Sequence, residues 1–315
     1  MPNPIASEVA KSVFLKTMGR LLPRLPLPVL WGLGDALGRV FIGEKGLVIK
    51  DQLKTLLPDL SPQQLDEILV TAMRNFRKDL LEIWTFPAMD QQRINAMVTF
   101  SGKEHLDAAL ARGKGAVICL AHFGSWKIIL PALAYNGYTV HQIAANPKVF
   151  VREGESHAHN AIMQRELECE QSLPVNFIYV NEKTVHKELF KALKNNEIVV
   201  VALDGVIGTD RLVVPFLNGT MALSRGPVSL AKRTGAALIP EFAVRGVDNR
   251  HVIHLDPPIS LDGDNAVEDA LNTFAKRFSE MVTAHPDHYA RFLYTTQKYP
   301  VDEVGSIIGQ REGTG

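Results

Sequence analysis

The chain has 315 residues, 46% of them hydrophobic and 22% charged, with 34 Lys and Arg balanced by 34 Asp and Glu. Zero net charge denies it the cationic surplus that a nucleic-acid binder uses to neutralise phosphates. Its two cysteines, Cys119 and Cys169, are too few for a disulfide framework or a zinc knuckle, so a reduced compartment is expected.

The first hundred residues read as helical. The apolar run Leu25-Pro-Leu-Pro-Val-Leu-Trp-Gly-Leu-Gly34 is broken by Asp35 and Arg39 and falls short of the roughly 18 apolar residues of a spanning helix. No cleavable signal peptide is read. Leu21, Leu22, Leu25, Leu27, Val29, Leu30, Trp31 and Leu33, preceded by Arg20 and Arg24, fit either a core-packing helix pair or a segment lying in a membrane interface. Ser61-Pro-Gln-Gln64 has capping-box form, with proline at the first helical position, and opens a long amphipathic helix toward Trp84. Leu65, Ile68, Leu69, Ala72, Met73, Phe76 and Leu80 form its apolar face.

From Val98 onward the pattern becomes strand–helix alternation. Strands are predicted at 98–101, 116–121, 139–144, 176–180, 198–203, 212–216, 237–244 and 251–256. Helices are predicted at 104–111, 126–135, 158–169, 184–194 and 267–284. This order implies an α/β fold with a mostly parallel central sheet flanked by helices. The expected organisation is an N-terminal helical region over 1–96, facing a membrane or packing on the core, then an α/β core over 97–300 and a flexible tail over 301–315. No internal repeat or low-complexity tract is present.

Two apolar strands end in polar residues. Gly115-Ala-Val-Ile-Cys-Leu-Ala-His122 runs into Phe-Gly-Ser125, where Ser125 is placed to cap the next helix. A histidine at the carboxyl end of a parallel strand lies where open α/β sheets bind ligands, and imidazole suits proton abstraction near neutral pH. The alternative is a core histidine with both nitrogens satisfied. Ile198-Val-Val-Val-Ala-Leu-Asp204-Gly205 repeats the pattern, so Asp204 either faces the same crevice and supports the imidazole or forms a turn before Gly205. Other candidates are poorer. His157 and His159, beside Glu153 and Glu155, lack a third metal ligand and read as a polar loop. Gly124-Ser125 lacks the nucleophile elbow of a serine hydrolase, and Gly205, Gly208 and Gly219 form neither a dinucleotide nor a phosphate loop. No metal or cofactor is expected.

Several blocks, taken in order, resemble the bacterial lipid A biosynthesis (lauroyl/myristoyl) acyltransferase family, which is related to phosphatidylinositol-mannoside acyltransferases. They are Leu57-Pro-Asp-Leu-Ser61, Ala121-His-Phe-Gly-Ser-Trp126, Lys194-Asn-Asn-Glu-Ile-Val-Val-Val-Ala-Leu-Asp-Gly205, Val214-Pro-Phe-Leu-Asn218 and Gly226-Pro-Val-Ser-Leu-Ala-Lys-Arg-Thr-Gly-Ala-Ala-Leu-Ile-Pro240. The resemblance implies transfer of an acyl chain from an acyl carrier protein or coenzyme A thioester to a glycolipid or other lipid hydroxyl, at the cytoplasmic face of the bacterial inner membrane. It implies His122 as general base, supported by Asp204. Where the family motif carries Asp or Glu, this chain has Lys127, which is then available to hold a phosphate of acceptor or donor. Amides of Gly124–Trp126 are expected at the oxyanion, with Ser125 beside the substrate. Asn218 takes a family glycine position and, as asparagine, tolerates a left-handed turn. Arg225 and Gly226 open a helix, as an anion site or an ordinary cap. Arg165 lies near a family arginine that contacts the acceptor; the alternative is a solvated helix-face arginine. Two rival readings are a catalytically silent relative that binds lipid or acyl carrier protein, and a thioesterase in which His122 activates water.

Overall fold

A computed structural model describes residues 17, 19, 21–40, 43–145, 157–180, 184–205, 210–298 and 308–310. Among the described residues, the 3-10 turn Leu22–Arg24 leads into α1 (Leu27–Val40), α2 (Gly43–Leu56) and α3 (Pro62–Ile83). Ser61 caps α3 as a capping box, its hydroxyl accepting from the Gln64 amide while the Gln64 side chain accepts from the Ser61 amide. α1 lies directly on α3 because Gly34 and Gly38 face it: a Cβ at Gly34 would sit 2.7 Å from Lys78 Cγ, and one at Gly38 2.5 Å from Arg74 Cα. The eight apolar residues that left two readings open divide between them. Leu22, Leu30 and Trp31 are buried, whereas Leu21, Val29 and Leu33 are exposed. Among the described residues, no helix is long and apolar enough to cross a membrane.

After α4 (Gln91–Met97) the alternation begins: β1 (Val98–Ser101), α5 (Lys103–Ala111), β2 (Ala116–Leu120), a 3-10 turn (Trp126–Ile128) leading into α6 (Ile129–Ala134), and β3 (Val140–Ala144). It continues through α7 (His157–Gln171), β4 (Asn176–Tyr179), α8 (Val185–Lys194) and β5 (Ile198–Ala202). The chain then forms β6 (Arg211–Phe216), β7 (Gly219–Ser224), α9 (Gly226–Thr234), β8 (Ala237–Arg245), β9 (His251–Leu255), α10 (Ala266–Ala284), α11 (Asp287–Lys298) and β10 (Ile308–Gln310).

Seven strands make one sheet in the order β1-β9-β8-β2-β5-β3-β4, with every neighbouring pair parallel except β8–β9. Val117 and Cys119 pack into one core layer, Ile118 and Leu120 into the other. Because both faces are covered, β2 and β5 are apolar at nearly every position. β6 does not join this sheet. It pairs with β7, and β10 adds to β7, making a small antiparallel sheet.

Three expectations need correction. Ile308–Gln310, expected to fray with the tail, pairs with Gly219–Met221. α11 was not anticipated, since only His285 and Pro286 separate it from α10 and its composition is polar overall. At the β6–β7 turn the left-handed residue is Leu217, at φ 50°, and not Asn218. Asn218 instead ties the turn to α2, its amide donating to Leu56 O at 3.2 Å and its Nδ2 to Thr55 O at 3.2 Å.

Candidate active site

β2 and β5 are parallel neighbours in a register that sets Leu120 opposite Ala202. Two residues further along each strand stand His122 and Asp204, so the register alone brings them together. Leu203 N–H donates to Leu120 O at 2.8 Å and keeps the strands paired up to this point. The fully buried Asp204 carboxylate accepts from the His122 backbone amide at 2.9 Å and lies 2.8 Å from its Nδ1. An ionised carboxylate only accepts, so Nδ1 carries the hydrogen and Nε2 keeps a lone pair. The imidazole is 24% exposed, open on one side. Phe292 of α11 stacks on one face with centroids 4.3 Å apart and planes 2° from parallel, and Trp126 stands edge-on at 4.8 Å.

Two further groups bear on the Asp204 charge. Arg211, whose guanidinium donates to the carbonyls of Gly205 and Ala222, is pulled below its usual range by burial, against the opposing pull of Asp204. The buried Tyr289 hydroxyl is held well above its ordinary pKa, first by burial and then by the Asp204 charge.

Beyond His122 the chain turns sharply. Gly124 has φ +56°, and a Cβ there would overlap the Ala243 carbonyl oxygen. Its amide donates to His288 O at 2.9 Å, so the expectation of a Gly124 amide reserved for an oxyanion is corrected. Ser125 is corrected as a side-chain cap: its hydroxyl donates to the Asp79 carboxylate, and the residue is buried. Arg245 Nη2 also reaches Asp79 at 2.5 Å and Ser125 Oγ at 3.4 Å. This is the edge of a buried ion network. Glu82 accepts from Arg245 Nη1 and Nη2 at 2.8 Å each and from Trp31 Nε1 at 2.6 Å, and lies 2.9 Å from His251 Nε2. Burial pushes the Glu82 carboxyl up, but Arg245 and His251 outweigh it and hold it far below the usual carboxylate range. Asp79, Glu82 and His251 have donor atoms within 4.8 Å of one another, the spacing of a metal site. The Arg245 guanidinium already bonds both carboxylates, which makes the cluster an internal ion pair network.

Lys127 reaches into α7. Its ammonium contacts Glu170, lies 3.5 Å from Glu166 and sits 5.2 Å from the Trp126 ring centroid. Burial disfavours its charge, but the two carboxylates prevail and raise its pKa. The lysine expected to be available for a phosphate is thus held by two internal acids. Arg165, also on α7, donates to Gly19 O at 3.1 Å and pairs with Glu168 at 3.5 Å. Arg225 pairs with Glu268 at 2.8 Å and lies 3.9 Å from Asp210; it precedes α9, which starts at Gly226 without a side-chain cap. The side chains of Glu153, Glu155, His157 and His159 lie outside the described residues. Sequence reasoning missed Phe292, Glu166, Glu170 and His288, all supplied by helices that pack on the site from elsewhere in the chain.

The chain matches the family described as "Bacterial lipid A biosynthesis acyltransferase" over residues 11–295. It belongs to that family. Among characterised relatives it is 27% identical over 228 residues, 70% of this chain and 67% of the relative, to a phosphatidylinositol mannoside acyltransferase of Mycobacterium tuberculosis (strain CDC 1551 / Oshkosh). The protein of that name from strain ATCC 25618 / H37Rv matches with the same identity and coverage. The Mycolicibacterium smegmatis protein is 26% identical over 227 residues, 70% of this chain and 69% of the relative. Membership makes this chain an acyltransferase with a lipid acceptor and an acyl donor. His122 and Asp204, joined through the backbone amide and Nδ1 of the histidine, lie together at the carboxyl edge of the sheet in this acyltransferase chain.

Proposed function

We propose that the protein transfers a fatty acyl chain from a thioester of acyl carrier protein or coenzyme A to a hydroxyl of a glycolipid, at the cytoplasmic surface of the inner membrane. The observation that carries this reading is the His122–Asp204 contact at 2.8 Å, with the imidazole still part-exposed. Nε2 takes the hydroxyl proton as the oxygen attacks the thioester carbonyl. Asp204 stabilises the imidazolium, which returns the proton to the departing thiolate. A positioned base of this kind accelerates the reaction by about 10²–10⁴-fold. No metal or cofactor enters the scheme.

Membrane association is supported by one face of α1. Val29, Leu33 and Leu37 recur every fourth residue and are 54%, 38% and 36% exposed, while Gly34 and Gly38 on the opposite face close against α3. The acceptor is proposed as a glycolipid because the relatives are named for phosphatidylinositol mannoside.

Labelled acyl chain offered on acyl carrier protein and on coenzyme A, with a bacterial lipid extract as acceptor, tests the reading. Label should enter lipid with the parent chain and be lost with His122→Ala. Equal transfer by His122→Ala would remove the histidine from the mechanism. The second reading, a silent lipid-binding relative, is favoured by Lys127 in the place of the family's acidic residue; lipid binding without turnover on either donor would establish it.

A further inference from the structure

α11 approaches the site through one residue that the acid–base scheme does not use. His288 is 4% exposed at its side chain, and it makes two backbone contacts to two different segments. Its carbonyl accepts from the Gly124 amide at 2.9 Å, and its Nε2 accepts from the Arg245 amide at 2.9 Å. The first segment is the turn that leaves β2 after His122, and the second is the end of β8. Gly124 and Ala243 form an isolated parallel bridge, so the turn continues the β2–β8 pairing past the end of β2. His288 satisfies one backbone amide on each of these two segments.

The rest of the side chain fits this role. Its ring stacks on Phe123 with centroids 5.4 Å apart, and its Nδ1 lies 2.9 Å from Asp287 Oδ2, which in turn accepts from Asn75 Nδ2 at 2.9 Å. An Nε2 that accepts an amide hydrogen carries no hydrogen itself, so the ring is neutral. The fit is tight: a Cβ on Gly124 would lie 3.0 Å from His288 Cδ2. Four residues later, on the same face of α11, Phe292 lies parallel to the His122 imidazole at 4.3 Å. One helix face therefore holds the backbone on which His122 rides and the plane of its ring.

We propose that His288 is a positioning residue for His122: as a neutral acceptor it pins the Gly124 turn to the end of β8 and so fixes where the imidazole stands relative to substrate. The proposal rests on the reading of His122 as general base. The tests are His288→Phe, which keeps a ring against Phe123 and removes the acceptor, and His288→Gln, whose amide oxygen replaces Nε2. His122→Ala is run beside them. A misplacement of about 1 Å at a reacting group costs about 10²-fold, so His288→Phe should lower kcat by about that factor with KM nearly unchanged, and His288→Gln should regain about tenfold or more. In protein labelled with ¹⁵N-histidine, the hydrogen-bonded Nδ1–H signal of His122, assigned by its absence in His122→Ala, should shift or broaden in His288→Phe and return in His288→Gln. If His288→Phe does not fold, His288→Asn, too short to reach the Arg245 amide, takes its place. Parent kcat in the folded Phe or Asn variant, or a His122 signal unmoved by it, overturns the proposal. Full turnover by His122→Ala instead defeats the general-base reading, and the spectrum alone then decides whether His288 positions the ring.

Discussion

Asp204 holds His122 twice, accepting from its backbone amide at 2.9 Å and standing 2.8 Å from its Nδ1. Backbone and side chain are fixed by one carboxylate, so orientation and basicity of the imidazole cannot be varied separately. Asp204→Asn replaces one of the two acceptor oxygens by an NH2 donor, and it removes the charge that supports an imidazolium. Turnover should fall by about 10²–10⁴-fold, the range for loss of acid–base assistance. The acceptor KM should change little, since Asp204 is buried and touches no substrate. Steady-state labelled transfer checks both quantities; a change confined to KM would contradict the assignment.

The position of Lys127 makes a different prediction. Restoring the acidic residue typical of the family, by Lys127→Glu, would set a third carboxylate beside Glu166 and Glu170 and remove the ammonium that pairs with both. Removing one partner of a buried pair costs about 3–5 kcal/mol, and this lysine is part-exposed, so Lys127→Met should cost about 2–3 kcal/mol and Lys127→Glu more. We expect Lys127→Glu to be less stable in urea and no more active than the parent. Higher turnover by Lys127→Glu would identify the lysine as the lesion of a disabled enzyme.

How far the site could be read in advance follows from which forces set each part. His122 and Asp204 each end an apolar run, which the strand pattern shows, but that β2 and β5 are in-register neighbours, and that Asp204 therefore meets His122 instead of only forming a turn, is set by the sheet topology. The partners of Lys127 depend on how α7 packs across the sheet, and nothing local in Glu166 or Glu170 announces it. Propensity misleads at the β6–β7 turn, where asparagine favours the left-handed region but the two-residue hairpin assigns it to Leu217. His288 was legible in part: His285-Pro286-Asp287 carries the proline and acidic residue of a helix start, a signal that would have separated α11 from α10. Its contact with Gly124 is set by tertiary packing.

The Glu82 network predicts acid sensitivity with a definite sign. The Glu82 carboxyl lies below its unfolded value of 4.5 in the folded chain. Above pH 4.5 the carboxylate is ionised in both states and its stabilisation is complete. Below that, the unfolded chain takes up a proton that the folded chain refuses, and stability drops with a slope approaching about 1.4 kcal/mol per pH unit from this group. Glu82→Gln should be less stable at neutral pH by about 3–5 kcal/mol, because Arg245 is left buried with a weakened partner set. It should also have a shallower loss of stability in acid. Urea midpoints measured across the acid range for both proteins test this; parallel curves would mean that other carboxylates carry the acid transition.

The apolar face of α1 separates stability from membrane contact. Val29, Leu33 and Leu37 are the large exposed apolar residues of α1, so each change to serine should alter folding stability by about 0.5 kcal/mol, well below the cost of a core substitution. The same residues would enter a lipid interface, where apolar area is worth about 25 cal/mol per Å². The triple variant should largely keep its urea midpoint and lose affinity for vesicles of bacterial phospholipid in a flotation assay. Transfer should fall when the acceptor is presented in vesicles and recover when it is dispersed in detergent. A matched control, Leu30→Ser on the buried side of the same helix, should do the reverse, lowering the urea midpoint through a lost core contact while the exposed apolar face stays intact. Undiminished vesicle binding by the triple variant would place any membrane contact on another surface of the protein.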